Sequence, residues 1–261
     1  MAAAAYRSGE RLRDDYIGKT HDYTDRQDVV HKCILLPDDA PREFLDRQTL
    51  VRAIDEAENR SDSRTAREIK IALPIELSFE DQVALVEDYV QGSFITLGMC
   101  ADIAIHKGTL DEHRKPRGIE PVFGRRSNPH AHILLTTRMV DREGFVRTKC
   151  RDWDNRKYAP LWRREWADAM NSEFERLGLP IRVSHESLAA QGVNREPTKH
   201  LGPTVMALEL RGVQTNRGDE YRETMSRNKE RDMERQRRRE RDKGRDRELN
   251  RERTREPERS R

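Results

Sequence analysis

Two histidines stand two residues apart at the head of an alternating aliphatic run, Asn128-Pro129-His130-Ala131-His132-Ile133-Leu134-Leu135-Thr136-Thr137-Arg138. In a strand, side chains i and i+2 leave the same face, so both imidazoles would stand side by side while Ile133 and Leu135 point the other way. A second strand-like run, Asp102-Ile103-Ala104-Ile105-His106, would supply a third imidazole if the two strands are neighbours. Three neutral imidazoles with open coordination positions describe a catalytic rather than a closed structural metal centre. The bland alternative is a pair of histidines on a solvated strand face.

The surrounding elements must hold those side chains in place. Residues 2–12 are helix-forming but start without a cap, and residues 29–36 form a strand-like run closed by Pro37. Residues 41–59 predict a helix with Phe44, Leu45, Leu50, Val51 and Ile54 on its apolar face. Residues 68–73 alternate as a strand and stop at Pro74, and Ser78 with Asp81 three positions on predicts a capped helix start. That helix carries Val83, Leu85, Val86, Tyr89 and Val90 as far as Gly92. Trp162, Trp166, Met170, Phe174 and Leu177 fall on one helical stripe, a core face rather than a stacking platform. Between the two histidine strands, residues 107–128 hold Gly108, Gly118, Gly124, Pro116 and Pro121 among Arg114, Lys115, Arg117, Arg125 and Arg126. A basic connection there lies where a phosphate backbone would approach.

Charged residues make up 38% of the 261-residue chain and apolar ones 34%, too polar for a uniformly packed globule. The imbalance is local, because residues 217–261 hold 18 Lys/Arg against 13 Asp/Glu, a net of +5 in a chain whose total is +3. That stretch shows no heptads, so a solvated charged helix or a disordered tail is expected, with weak nonspecific affinity for nucleic acid. Cys33, Cys100 and Cys150 are odd in number and widely spaced, which supports neither a disulfide framework nor a Cys-x-x-Cys zinc site. No stretch is apolar enough to span a bilayer and no signal peptide is apparent, so no membrane insertion and a cytoplasmic protein are expected.

Five collinear strings carry a family resemblance: AAAAYRSG (residues 2–9), ALPIELS (72–78), ADIAIH (101–106), NPHAHILLTTR (128–138), and SLAAQG followed by REPTKHLGP (187–203). They resemble the MobA/MobL, or MobQ-type, plasmid mobilisation relaxases of the HUH endonuclease class, over residues 2 to about 211. The resemblance implies an α+β fold, an antiparallel-type central sheet flanked by helices, over residues 1–211, with residues 212–261 as a charged tail. It implies a metal-dependent single-strand DNA endonuclease that nicks a plasmid transfer origin and keeps the 5′ end as a phosphotyrosine. By motif position Tyr6 is the nucleophile and His106, His130 and His132 are the metal ligands. Glu68 and Glu76 match acidic positions that orient a ligand or accept a proton, while Lys70 stands where an acidic residue is usual. The implied partners are single-stranded DNA at the origin, accessory relaxosome proteins and a type IV secretion coupling protein.

Imidazole ligation favours Zn or Ni, whereas the resemblance implies Mn or Mg. Relatives also carry a strand ahead of the tyrosine motif, and this chain starts inside that motif, so a domain lacking its first strand is expected. The competing expectations are a truncated, non-catalytic origin-binding remnant and a rolling-circle replication initiator. The latter usually places its tyrosine after the histidines, whereas Tyr6 precedes them.

Overall fold

The computed structural model describes residues 1–58, 63–108 and 128–255. The basic connection predicted over residues 107–128 lies almost wholly outside them. The chain forms two compact units divided between His185 and Glu186.

The first unit is an antiparallel sheet flanked by helices. Its elements are α1 (Ala2–Ser8), β1 (Arg11–Asp14), β2 (Lys19–Asp22), β3 (Val29–Leu35), α2 (Arg47–Glu56), β4 (Ala66–Ala72), α3 (Phe79–Ser93), β5 (Ala101–His106), β6 (His130–Thr136), β7 (Val140–Asp141), β8 (Gly144–Phe145) and α4 (Tyr158–Arg176). Four strands form the central sheet in the order β3-β5-β6-β4, every neighbouring pair antiparallel. The period-two pattern sorts its residues cleanly. One face presents Ile69, Ile71, Ile103, Ile105, Ala131, Ile133 and Leu135 to α3 and α4, whose Val86, Tyr89, Val90, Trp162, Trp166 and Phe174 complete the main core.

The opposite face carries the polar residues, with α1 and α2 against it. Strand β5 is therefore buried along its whole length, including Asp102. Asp102 accepts a fork of hydrogen bonds from the buried Arg47 of α2, which also pairs with Glu10. Burial pushes the Asp102 carboxyl up, and the Arg47 guanidinium opposes that shift. A charge pair this deep is tolerable only because both partners are hydrogen-bonded.

Three predicted elements differ in detail. The N-terminal helix stops at Ser8, because Gly9 adopts the left-handed conformation (φ 62°, ψ 41°), and the chain then turns into β1, where Leu12 is buried. The helix predicted over residues 41–59 divides into a short 3-10 turn, Arg42–Leu45, and α2. Asp46 makes the division by accepting from the Thr49 backbone N–H, which leaves Leu45 exposed rather than in the apolar face. Leu177 falls just beyond α4 and is 38% exposed, so the tryptophan stripe ends in the core at Phe174.

The second unit holds α5 (Pro203–Leu210) and α6 (Asn216–Arg255). The charged tail is thus helical through residue 255. Asn228 of α6 is buried and satisfies both ends of its amide on the Glu196 backbone, while the Glu196 carboxylate takes Arg227 and Arg231. No helix among the described residues is long and apolar enough to cross a membrane.

Candidate metal centre

Strand register builds the site. His106 of β5 lies directly opposite His130 of β6, and His132 follows two residues along on the same face. The ring centroids are 5.2 Å (His106 to His130), 4.6 Å (His106 to His132) and 5.1 Å (His130 to His132) apart. One ligating nitrogen from each ring lies within 4.8 Å of the others. The three imidazoles predicted from two separate motifs therefore converge.

Each ring is held by a hydrogen bond from one of its nitrogens. His106 Nε2 donates to the Arg7 carbonyl at 2.8 Å, His130 Nδ1 to the Asn128 carbonyl at 2.8 Å, and His132 Nδ1 to Glu68 Oε1 at 2.6 Å. The other nitrogen of every ring keeps its lone pair, which is the arrangement metal-binding histidines adopt when a carbonyl or carboxylate fixes the tautomer. Burial pulls all three imidazoles below their ordinary 6.5, against the opposing pull of those acceptors. Neutral imidazole is the form a cation binds. The donor set thus fits a divalent metal ion held by three nitrogens.

Two carboxylates and two arginines surround the triad. Glu68 of β4 takes Nε and Nη2 of Arg7 in a two-pronged pair, both at 2.7 Å, as well as His132. Arg7, with His132 behind it, holds the Glu68 carboxyl at about 2. Asp28 lies 3.8 Å from His106 Nδ1 and is itself paired with Arg26, which keeps it ionised. Arg26 also donates to the Tyr6 carbonyl at 2.7 Å, and its guanidinium lies 4.0 Å from the centre of the Tyr6 ring. Tyr6 is half exposed at the edge of this network, and its ring meets Tyr23 edge-on.

Among the predicted residues, Glu68 is thus joined to the histidines directly and Tyr6 through Arg7 and Arg26. Glu76 sits in the turn after β4, exposed and without a hydrogen-bond partner among the described residues. Arg7, Arg26 and Asp28 were missed. The first was visible only as the neighbour of Tyr6, and the Arg26-x-Asp28 pair only as charges ahead of a strand.

An antiparallel sheet with helices on both faces carries a three-histidine pocket on one of them. Residues 1–211 match the MobA/MobL family, and the chain belongs to it. It is 34% identical over 244 residues to mobilization protein MobL of Acidithiobacillus ferridurans, covering 86% of this chain and 64% of that protein. It is 29% identical over 248 residues to conjugal transfer protein TraA of Rhizobium radiobacter, covering 82% of this chain and 21% of that one. The chain therefore spans less than two thirds of MobL and about a fifth of TraA. A solved structure described as the molecular basis of vancomycin resistance transfer in Staphylococcus aureus superposes with a TM-score of 0.61 at 31% identity. That match covers 71% of this chain and 90% of the other.

Proposed function

We propose that this chain is a mobilisation relaxase that nicks one strand of DNA at a plasmid transfer origin with the Tyr6 hydroxyl. One observation carries the reading above the rest: Arg7, the residue after Tyr6, is bonded to two parts of the histidine pocket at once, through its carbonyl to His106 and its guanidinium to Glu68. The helix that carries the tyrosine is thereby positioned by the pocket it would serve.

The chemistry is a phosphoryl transfer. The Tyr6 hydroxyl proton leaves to solvent, its oxygen bonds to phosphorus, and the bond to the 3′ oxygen breaks, that oxygen taking up a proton from solvent and the 5′ end staying on the enzyme. A phenol is a weak nucleophile, and the guanidinium of Arg26 stacked on its ring places positive charge beside the developing phenolate. A divalent cation held by His106, His130 and His132 would polarise the scissile phosphate and offset charge on the leaving 3′ oxygen. Glu68 keeps His132 oriented, and Asp28 keeps Arg26 in place. The phosphotyrosyl ester conserves the energy of the cleaved bond, so rejoining needs no nucleotide.

Mn or Mg would be the working metal, with Zn or Ni the alternatives favoured by imidazole alone. Accessory proteins at the origin and a type IV secretion coupling protein complete the proposed setting. The deciding experiment incubates the full chain with labelled transfer-origin oligonucleotides, with and without Mn. A metal-dependent covalent adduct supports the reading. Binding without an adduct would favour a non-catalytic origin binder, and an adduct formed only on replication-origin DNA would favour a replication initiator.

A further inference from the structure

The face of the sheet opposite the histidine pocket holds a second group of metal-ligating side chains. Strand β3 is an edge strand, and His31 and Cys33, two residues apart, share the face that packs on α3. Glu87 of α3 meets them there. His31 Nε2 donates to Glu87 Oε1 at 3.0 Å, and the Cys33 thiol also hydrogen-bonds that carboxylate. One ligand atom from each of the three residues lies within 4.8 Å of the others.

We propose that His31, Cys33 and Glu87 form a second metal site, one that takes Zn2+. The donor set is sulfur, nitrogen and oxygen, which suits a borderline-soft ion and discriminates against Mg and Ca. Ligand bonds of about 2.0–2.3 Å require the three atoms to draw together by roughly 1 Å, within reach of side-chain rotation. Half-buried His31 and more exposed Glu87 leave a fourth position open to water. Loading balances simply: the thiol proton leaves to solvent, the imidazole proton moves to Nδ1, and the carboxylate exchanges two hydrogen bonds for the ion. The ion would fasten the edge strand to α3. Because β3 pairs along β5, which carries His106 on its other face, it would stiffen the back wall of the histidine pocket. The ion takes no part in the nicking chemistry itself.

Titration of the full chain with Co2+ as a spectroscopic stand-in tests this, because only a cysteine ligand gives thiolate-to-metal charge-transfer absorption. One equivalent of that band is expected, displaced by Zn2+, in the native chain and equally in the variant His106→Ala/His130→Ala/His132→Ala. Cys33→Ser should abolish the band and Glu87→Gln should weaken binding. Saturating Zn2+ should raise the melting temperature by about 5 °C in the native chain and less in Cys33→Ser. Co2+ binding without the band, or a band that survives Cys33→Ser and so belongs to Cys100 or Cys150, would overturn the proposal. Either result would leave the relaxase reading untouched, just as a failure to form the DNA adduct would leave this site untouched.

Discussion

The backbone carbonyl of Arg7 accepts a hydrogen bond from Nε2 of His106 at 2.8 Å, across 99 positions of sequence. That bond holds the most buried imidazole of the three and, in the same stroke, ties it to the last turn of the helix bearing Tyr6. The position of the tyrosine helix and the orientation of the His106 ring are therefore coupled.

If Tyr6 is the nucleophile, Tyr6→Phe removes one oxygen with almost no change in volume and should abolish the covalent DNA adduct while origin binding persists. Tyr16, 97% exposed, and Tyr23, against the Tyr6 ring, are the controls. Adduct detection on denaturing gels reads the result. An adduct that survived Tyr6→Phe and vanished with Tyr23→Phe would move the nucleophile to the neighbouring ring.

The two carboxylates singled out from the sequence should now behave differently. Glu68→Ala strips His132 of its acceptor and Arg7 of its partner, so Mn2+ affinity measured by calorimetry should fall roughly 10- to 100-fold. Glu76→Ala, at an exposed turn position with no hydrogen bond among the described residues, should leave it unchanged. Equal losses would mean that Glu76 contributes to the metal site even without DNA.

The contrast shows how much was legible beforehand. Period-two alternation in residues 130–136 and 101–106 announced both histidine strands and which side chains share a face, because strand geometry is local. Ser78 announced the start of α3 for the same reason. What could not be seen was long-range pairing: Arg7 with Glu68 is separated by 61 positions and Arg47 with Asp102 by 55, and no short-range pattern encodes either. The end of α1 was misplaced because Gly9 was one glycine among 14, with nothing local to mark it as a helix terminator.

Arg47 offers a stability test. Arg47→Met leaves Asp102, 6% exposed, without its guanidinium, and breaking a buried pair this way costs about 3–5 kcal/mol in denaturant unfolding. The double variant Arg47→Met/Asp102→Leu should recover much of that, since the cost lies in the stranded charge rather than in the lost pair. A single variant as stable as the native chain would show that Asp102 is protonated in the fold.

Acid stability should depend on Glu58. Burial would raise its carboxyl, but hydrogen bonds from Lys149 and Arg138 outweigh it and hold the folded value below the ordinary 4.5. A depressed folded value means that its stabilisation is fully present above about 4.5 and is lost as pH falls through the lower folded value. Glu58→Gln should therefore be less stable than the native chain at neutral pH and should lose less on acidification. Parallel stability curves down to strong acid would count against the pairing.

The last prediction separates the two halves of the charged helix. Residues 217–235 carry six basic and six acidic groups, whereas residues 236–261 carry twelve and seven, so the net +5 lies entirely in the distal part. The proximal part is anchored, through Asn228 and the Glu196 ion pairs, and cutting there would damage the second unit. Deleting residues 236–261 should spare the fold and the chemistry while removing sequence-independent attraction for DNA. The expected loss is about one decade of oligonucleotide affinity at low salt, vanishing near physiological ionic strength, with a shallower slope of affinity against salt. Binding measured by fluorescence anisotropy across a salt series checks this. A deletion that abolished cleavage of a saturating oligonucleotide would give the distal segment a role in catalysis that charge alone does not explain.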